Sequence, residues 1–192
     1  MALQTTEVAI SEEAYLRGEP GSEIKHEYID GHVYAMGGAG KQHNRLTATL
    51  GGEFRNHLKG KPCDAYQADF RVKVGAKYFY PDVVVECDSE YGNEDYTETP
   101  IMLVEVTSDS TEKFDRTYKL EVYKTIPSLR EYVIVAQNRA RVDVYKRDGL
   151  QWGLTTYRLG DTILFESIGL TLTVEEIYDR VDNEDMREYL RK

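Results

Sequence analysis

The chain has 192 residues, 41% of them hydrophobic, and a formal net charge of −10 at pH 7. This length and apolar content fit one domain with a buried core and exclude a disordered chain, and the short apolar runs argue against a membrane-spanning helix. The excess of acidic residues argues against a broad basic surface of the kind that holds nucleic acid through its phosphates.

The N-terminal residues and the cysteines indicate a cellular location. Residues 1–20 lack the basic start and apolar stretch of a signal peptide. Cys63 and Cys87 form no metal-ligand pattern, and two cysteines are too few for a disulfide framework. We therefore expect a reduced, cytoplasmic protein, with a single domain over residues 1–192 and a core of about 25–175.

The first part of the chain predicts a helix, a hairpin and a longer helix. Ser11 with two following glutamates is typical of a helix start, and this helix spans about residues 11–17. Two strands flank Asp30-Gly31, which is a strong signal for a two-residue hairpin turn. The second helix is predicted over about 41–58, where apolar residues recur on one face, and Gly60 ends it.

The rest of the chain predicts mainly strands. Two are expected over about 64–74 and 78–87, followed by a polar surface loop. Pro100 to Ser108 is typical of a strand buried on both faces, and a helix is expected from about 110 to Pro127. Four short strands and a closing helix follow: REYVIVA, RVDVYKR, WGLTTYRL, TILFE and TVEEIYDRV. This order predicts an α/β or α+β fold, a mixed sheet with helices on its faces.

Glu105 lies within the strand that is predicted to be buried on both faces. An unpaired carboxylate there would cost several kcal/mol or take up a proton. Asp82, after Pro81, opens another apolar strand. If the two strands are neighbours, both carboxylates meet at one place, and the usual partner of such a pair is a hard cation that keeps some of its waters. Such an ion activates water and stabilises charge on a phosphate.

These residues resemble the PD-(D/E)xK nuclease motif. In that superfamily the aspartate and the glutamate hold Mg²⁺, and a lysine two residues after the glutamate positions the attacking water. Thr107 stands at the lysine position in this chain. Some members carry the lysine on the following helix, and Lys119 is the candidate there.

Longer blocks extend the resemblance over most of residues 25–175. They are HEYIDGHVYAMGGAGKQHNRL, YPDVVVE, VEVTSDSTEKFDRTYKLEVYKTIPSLREYVIV and RVDVYKR. In this order they are similar to the Uma-two family of restriction-endonuclease-like proteins. The resemblance implies a restriction-endonuclease-like mixed sheet flanked by helices, Mg²⁺ (or Mn²⁺) held by Asp82 and Glu105, and a nucleic-acid substrate, most simply DNA.

Two further residues each have a catalytic and a structural interpretation. Glu27, on the first hairpin strand, matches an early acidic residue that supports the metal in the resembled fold, or it pairs with Lys25 or a cross-strand neighbour. Lys119 acts at the phosphate, or it forms an exposed pair with Asp115, four residues earlier on the helix.

His43, Asp69 and Thr107 complete the candidate site as substrate-binding or supporting residues. His43 contacts a phosphate or shuttles a proton, or it is a packed or capping helix residue. Asp69 joins the acidic cluster or pairs with Arg71. The segment Gly37–Gly40 lacks the spacing of a phosphate-binding loop, and we interpret it as a hinge into the helix.

Together these features predict a Mg²⁺-dependent endonuclease that hydrolyses phosphodiester bonds of DNA, with Asp82, Glu105, Lys119 and Glu27 as catalytic residues. Strand edges and a tyrosine-rich surface are compatible with a homodimer, which would suit cleavage of two strands. The alternative is a catalytically silent nuclease-fold module for binding or regulation, which Thr107 and the net charge of −10 favour.

Overall fold

The computed structural model describes residues 9–87 and 93–191. Its helices are α1 (Glu12–Gly18), α2 (Lys41–Leu58), α3 (Glu112–Phe114), α4 (Leu120–Tyr123), α5 (Val174–Ile177) and α6 (Glu184–Tyr189). A 3₁₀ turn, Glu19–Gly21, follows α1, and a π-helical segment, Asp115–Lys119, joins α3 to α4. No helix in the described part of the chain is long and apolar enough to cross a membrane.

Thirteen strands are present among the described residues. They are β1 (His26–Ile29), β2 (His32–Ala35), β3 (Cys63–Gln67), β4 (Arg71–Lys73), β5 (Lys77–Phe79), β6 (Val83–Cys87), β7 (Tyr96–Thr97), β8 (Pro100–Thr107), β9 (Glu131–Ala136), β10 (Arg141–Asp148), β11 (Gln151–Arg158), β12 (Thr162–Phe165) and β13 (Leu170–Thr173). One sheet has six strands in the order β11-β10-β9-β8-β6-β3, and a second has five in the order β2-β1-β5-β4-β7. β12 and β13 form a separate hairpin.

The six-stranded sheet is mixed and lies at the centre of the molecule. β8 and β9 run parallel, and its other neighbouring strands are antiparallel. Met102 and Leu103, successive residues of β8, enter different hydrophobic cores, because side chains alternate between the faces of a strand. Phe54 of α2 lies in the first core, and Tyr123 of α4 lies in the second with Phe79 of β5. The expected mixed sheet with helices on its faces is confirmed.

The first three predicted elements are confirmed. α1 begins after Ser11, whose Oγ accepts a hydrogen bond from the Ala14 N–H. β1 and β2 form the expected hairpin, and Asp30 and Gly31 have positive φ angles of 49° and 94°, as this type of two-residue turn requires. α2 spans Lys41–Leu58, the predicted range.

The strands predicted over about 64–74 and 78–87 are wrong as continuous elements, because each is divided between the two larger sheets. Ala68, with a φ of 64°, interrupts the first, and Pro81 lies between β5 and β6 in the second. β4 and β5 therefore belong to the five-stranded sheet, and β3 and β6 belong to the six-stranded one. The break at Pro81 leaves Asp82 immediately before β6.

The loop and the last helices also differ from expectation. Residues 88–92 of the predicted surface loop lie outside the described residues, and Tyr96–Thr97 within it forms β7. The helix predicted to run to Pro127 ends at Tyr123 and contains the π-helical segment. The closing helix is reduced to α5, and Arg180, with a φ of 58°, has left the helical conformation.

Cys63 and Cys87 form a disulfide, contrary to the expectation of two reduced thiols. The two residues lie directly opposite each other in the antiparallel β3–β6 pair, so their side chains meet on one side of the sheet. Their sequence separation of 24 residues conceals this proximity, which depends on the strand register.

Candidate active site

Asp82 and Glu105 lie on adjoining segments of the central sheet. β6 and β8 pair antiparallel with Val83 opposite Val104, and the Asp82 N–H donates to the Val104 carbonyl at 2.9 Å. The Asp82 side chain turns toward the same strand, where its Oδ2 accepts from the Val106 N–H at 2.6 Å. Both carboxylates line one cavity.

Lys119 reaches these carboxylates from the π-helical segment. Its Nζ lies 2.7 Å from Glu27 Oε1, 3.0 Å from Glu105 Oε1 and 3.6 Å from Asp115 Oδ1. Glu27 therefore pairs with Lys119 rather than with Lys25. The interpretation of Lys119 and Asp115 as an exposed pair is wrong, because both side chains are 5% exposed.

Asp115 is a further carboxylate of this site, which the sequence indicated only as the partner of Lys119 in the alternative exposed pair. Its backbone carbonyl accepts a hydrogen bond from the Tyr132 hydroxyl at 3.1 Å. Tyr123, four residues after Lys119, donates its hydroxyl to Glu105 Oε1 at 3.1 Å. The regular four-residue spacing of Asp115, Lys119 and Tyr123 puts them on adjoining turns of one face. This spacing is visible in the sequence, but it is equally typical of an exposed ion pair, so it does not identify the group by itself.

We call the side chains of Glu27, Asp82, Glu105, Asp115 and Lys119 the carboxylate cluster, in which four carboxylates that repel one another lie around one ammonium group. Burial raises the pKa of Glu105 well above its ordinary value, and the neighbouring carboxylates add to this effect while Lys119 opposes it. Burial likewise raises the pKa of Asp115. For Lys119, burial favours the neutral amine, but the carboxylates outweigh it and raise the pKa well above its ordinary value. The cluster therefore has more negative charge than Lys119 can balance.

His43, on α2, lies next to Asp82. Its Nε2 is 3.1 Å from Asp82 Oδ1. Burial favours the neutral imidazole, but the hydrogen bond and charge of Asp82 outweigh it and raise the pKa of His43. The Nδ1 atom is buried and has no hydrogen-bond partner among the described residues. The structure thus brings His43 to the carboxylate cluster.

Thr107 and Asp69 lie apart from the reactive groups of the site. Thr107 is buried at the end of β8, and the ammonium group that the motif would place there comes from Lys119 instead. Asp69 has a side chain that is 77% exposed and forms an ion pair with Lys25. Both expectations for Asp69, a place in the acidic cluster and a pair with Arg71, are therefore wrong.

A cavity of about 600 Å³ lies against the carboxylate cluster. All five cluster side chains line it, together with His43, Asn44 and Thr47 of α2 and with Ser108, Ser110 and Thr111 before α3. A cavity of this size, with convergent polar groups and titratable residues whose pKa values are shifted, is typical of a substrate site.

The donor chemistry of the cluster fits a hard divalent cation, because such ions take carboxylate oxygens as ligands. Mg²⁺ uses one or two carboxylates and keeps several waters, and Asp82 and Glu105 supply two on adjoining segments. Over residues 9–87 and 93–191, no three or more His, Cys, Asp or Glu side chains are grouped so as to hold a metal ion. In this geometry the Lys119 ammonium group provides the positive charge next to Glu105.

Known proteins share both the sequence pattern and the fold. The model of the Uma2 family, described as "Putative restriction endonuclease", matches residues 12–175. The uncharacterized protein slr1290 of Synechocystis sp. is 36% identical over 173 residues, which cover 88% of this chain and 91% of that protein. The uncharacterized protein sll1609 of the same organism is 30% identical over 171 residues, covering 86% and 96%.

A crystal structure shows the same architecture. It is that of a putative nuclease belonging to DUF820 from Anabaena variabilis, and it superposes with a TM-score of 0.75 over 90% of this chain and 99% of that chain, at 17% identity. At this identity the likeness establishes the fold, and the expected restriction-endonuclease-like mixed sheet flanked by helices is confirmed. The chain belongs to the Uma2 family and has the mixed α/β fold of that nuclease-like structure.

Proposed function

We propose that this chain is a Mg²⁺-dependent endonuclease that hydrolyses phosphodiester bonds of DNA. One observation carries the proposal: Asp82 and Glu105 line the same cavity from adjoining segments, with the Lys119 ammonium group 3.0 Å from Glu105. Membership of the Uma2 family and the nuclease-like fold support the same class of reaction.

Lys119 is placed to counter negative charge. As water attacks a phosphodiester, charge develops on the phosphate oxygens, and a fixed cation in a site sheltered from water stabilises it. The neighbouring carboxylates outweigh burial and keep Lys119 protonated by raising its pKa. It stabilises the developing charge or orients the attacking water, while the Tyr123 hydroxyl holds Glu105 in one orientation.

Asp82 and Glu105 would hold the metal ion, with Glu27 in support. When bound, Mg²⁺ would lower the pKa of a coordinated water and neutralise charge on the phosphate. The Val106 N–H orients Asp82 through a 2.6 Å hydrogen bond. Glu27 lies 2.7 Å from Lys119, so it retains the ammonium group when Glu105 turns toward another cation.

We add the requirement that each copy of the chain contacts few DNA phosphates through a local basic surface, because its net charge is −10. A homodimer fits this requirement, because two copies would share the contacts and place one site on each strand of a duplex. A cytoplasmic location would give the enzyme access to DNA. Both features are part of the proposal, and the size of the protein in solution with and without duplex DNA tests the dimer.

Cleavage of plasmid and single-stranded DNA tests the reaction. The purified chain should cut DNA with Mg²⁺ or Mn²⁺ and should not cut it with a chelator. Glu105→Gln removes the charge but keeps an oxygen that accepts from Lys119, and it should lower the rate by about 10²-fold or more. The matched control is Glu121→Gln, because Glu121 forms a 2.8 Å pair with Lys124 and is largely exposed, so this variant should cleave like wild type.

A catalytically silent module for binding or regulation is the second candidate. Thr107 at the motif lysine position and the net charge of −10 favour it. Calorimetric titration with Mg²⁺ or Mn²⁺ separates the two, because the nuclease binds the ion and Asp82→Asn removes that binding. A chain that binds neither ion and cuts neither DNA would contradict the nuclease proposal and leave the silent module.

A further inference from the structure

The segment Gly37–Gly40, between β2 and α2, is richer in glycine than the protein's own packing requires. A Cβ atom built on Gly37, Gly38 or Gly40 would meet no heavy atom within 4 Å. None of these glycines has a φ in the left-handed region. The whole segment is exposed and lines the cavity. Glycines with open space around them let another molecule approach the backbone closely.

This segment leads into the N-terminus of α2. Gly40 is the N-cap and has no side chain to cap the helix, and the first turn contains no acidic residue. α2 has 18 residues, so its unpaired N–H groups and its dipole favour an anion at this end. A helix end alone does not define a ligand site, but polar side chains of the same helix face the same cavity.

Those side chains include a buried hydroxyl without a partner. Gly40, His43, Asn44 and Thr47 follow the spacing of one helix face, and all four line the cavity. Thr47 is only 9% exposed, and its Oγ1 has no hydrogen-bond partner among the described residues. Because a buried hydroxyl without a hydrogen bond is unfavourable, a ligand that supplies an acceptor here would be stabilised.

Basic side chains continue the surface beyond the cavity. Lys41, Arg45 and Arg180 surround a second, shallower pocket alongside Asp179, and Asn44 lines both pockets. In a protein with a net charge of −10, a local excess of positive charge favours a polyanion at that surface.

The distance from the carboxylate cluster to the helix end is short. His43 contacts Asp82 at 3.1 Å, and Gly40 precedes His43 by three residues, or about 4.5 Å of helix rise. A group bound at the end of α2 therefore lies next to a group bound at Asp82.

We infer that Gly37–Gly40 and the first two turns of α2 bind the sugar–phosphate backbone of the substrate strand, next to the phosphate that is cleaved. This inference rests on the proposed nuclease function. The backbone N–H groups at the start of α2 bind the neighbouring phosphate, and the Thr47 hydroxyl, two turns further along the helix, donates to another oxygen of the same strand. The strand passes over the glycines without a side chain in its way, and Lys41 and Arg45 contact the phosphate that follows.

Affinity for a fluorescein-labelled single-stranded oligonucleotide, measured with a chelator to prevent cleavage, tests the inference. Gly38→Val puts a side chain where the strand passes, and Thr47→Val replaces the hydroxyl with a methyl group. Since the Cβ of Gly38 has open space and Thr47 Oγ1 has no partner, both variants should melt at or above the wild-type temperature. Each should bind the oligonucleotide about tenfold more weakly or worse, Thr47→Val because it loses a hydrogen bond to a charged group and Gly38→Val because its side chain blocks the close approach of the strand.

The matched control is Gly52→Ala, at a glycine within α2 whose Cβ would also meet nothing within 4 Å. It should bind the oligonucleotide like wild type. A second oligonucleotide, with a neutral methylphosphonate next to the mapped cleavage position, tests the phosphate itself. Wild type with Mg²⁺ should show a KM about tenfold higher for it with little change in kcat, whereas Gly38→Val should treat the two oligonucleotides alike.

The outcomes separate this inference from the proposed function. Wild type that neither binds nor cleaves the oligonucleotide would contradict the nuclease. Wild type that cleaves, while Gly38→Val and Thr47→Val bind as tightly as wild type, would overturn the docking surface alone. Weaker binding together with a melting temperature several degrees below wild type would also overturn it, because these residues would then serve the fold.

Discussion

Two clusters of charged side chains meet in one helical segment and differ in their balance of positive and negative charge. Asp115 and Lys119 belong to the carboxylate cluster, where four acids surround one base. Glu112 and Arg116, at the same four-residue spacing, belong to a cluster in which three bases face two acids. We call it the arginine cluster and define it as Glu112, Arg116, Arg139, Arg141 and Asp143.

Each acid of the arginine cluster has close cationic partners. Asp143 is fully buried, and its Oδ2 lies 2.6 Å from Arg116 Nη1 and 2.9 Å from Arg141 Nη2. Glu112 Oε1 lies 2.8 Å from Arg116 Nε and 2.7 Å from Arg139 Nη2. Burial would raise the pKa of Asp143, but hydrogen bonds and the arginines outweigh it and lower that pKa. This cluster stabilises the fold.

The carboxylate cluster shows the opposite shift. Burial and repulsion between carboxylates raise the pKa of Glu105 and of Asp115, although Lys119 lies within 4 Å of each. Unfavourable charge that a fold retains is typical of functional sites. Asp143 and Glu105 are both buried, so burial of a charged group does not by itself identify a functional site. The excess of negative charge distinguishes the carboxylate cluster from the arginine cluster, and an excess of this sign attracts a cation.

The largest change in stability is expected from the arginine cluster. Asp143→Asn removes the anion that Arg116 and Arg141 share, and it should lower the free energy of unfolding by about 3 kcal/mol. For a chain of this length the melting temperature should fall by roughly 6–12 °C, equally with Mg²⁺ and with chelator. Asp148→Asn, at the exposed end of the same strand, should melt close to wild type. A loss below about 1 kcal/mol would remove the contrast between the clusters.

The largest change in activity is expected from the carboxylate cluster. Lys119→Ala removes the cation that counters phosphate charge, so kcat for DNA cleavage should fall by about 10²-fold or more. Lys124→Ala is the matched control. Lys124 is more exposed than Lys119 and forms a 2.8 Å pair with Glu121 outside the carboxylate cluster, so this variant should leave kcat unchanged. Steady-state kinetics decide the point, and an unchanged kcat for Lys119→Ala would make Lys119 a structural counter-ion.

The two clusters should also respond oppositely to pH. Glu105 has a raised pKa, so wild type loses stability as the pH rises from the ordinary value of 4.5 through the folded value. Glu105→Gln avoids this loss. As the pH increases from 4.5 to the raised pKa of Glu105, the melting temperature of this variant minus that of wild type should therefore increase. Asp143 has a lowered pKa, so it stabilises above 3.8, and the deficit of Asp143→Asn should shrink as the pH falls below that value.

Melts of both variants and wild type from about pH 3 to 8, with chelator, measure these trends. Parallel curves for wild type and Glu105→Gln would show that Glu105 is not held in an unfavourable environment, and the contrast with Asp143 would be lost.

The smallest effect concerns salt. Because the carboxylate cluster and the net charge of −10 both repel DNA, only three or four phosphates should be contacted, and log affinity against log salt should have a slope of about −3 to −4. Lys41→Ala should reduce the magnitude of this slope by about one, and Lys124→Ala should leave it unchanged. A wild-type slope near −8 would require a broad basic surface and would contradict the small contact area.

The sequence predicted those parts of the fold that depend on local pattern. The Asp30-Gly31 turn and the apolar face of α2 are both local, and the structure has them where expected. The division of the strands at Ala68 and Pro81 and the pairing of Cys63 with Cys87 depend on which strands become neighbours. Period-two patterns do not encode that choice, so the sequence could not supply it.

The candidate site, like the fold, has parts that the sequence predicts and parts that depend on the tertiary structure. Asp82, Glu105 and Lys119 were identified through a motif, and the structure brings all three to one cavity. The sequence indicates Asp115 only as the partner of Lys119 in a possible exposed pair, because a four-residue spacing to a lysine is usually such a pair. Asp115 is buried because its helical segment packs against the central sheet at Tyr132, whose hydroxyl donates to the Asp115 carbonyl. Only the tertiary structure reveals this packing.

The most direct test of the claim that the carboxylate cluster is suited to a cation is a set of paired thermal melts. Wild type and Glu105→Gln are melted with chelator and with Mg²⁺, and Asp143→Asn is included for comparison. With chelator, Glu105→Gln should melt roughly 2–4 °C above wild type, which corresponds to about 1 kcal/mol of relieved repulsion. Mg²⁺ should raise the midpoint of wild type and of Asp143→Asn but not that of Glu105→Gln, because stabilisation requires binding to the folded state. A Glu105→Gln protein that melts below wild type with chelator, together with a wild type indifferent to Mg²⁺, would contradict the claim.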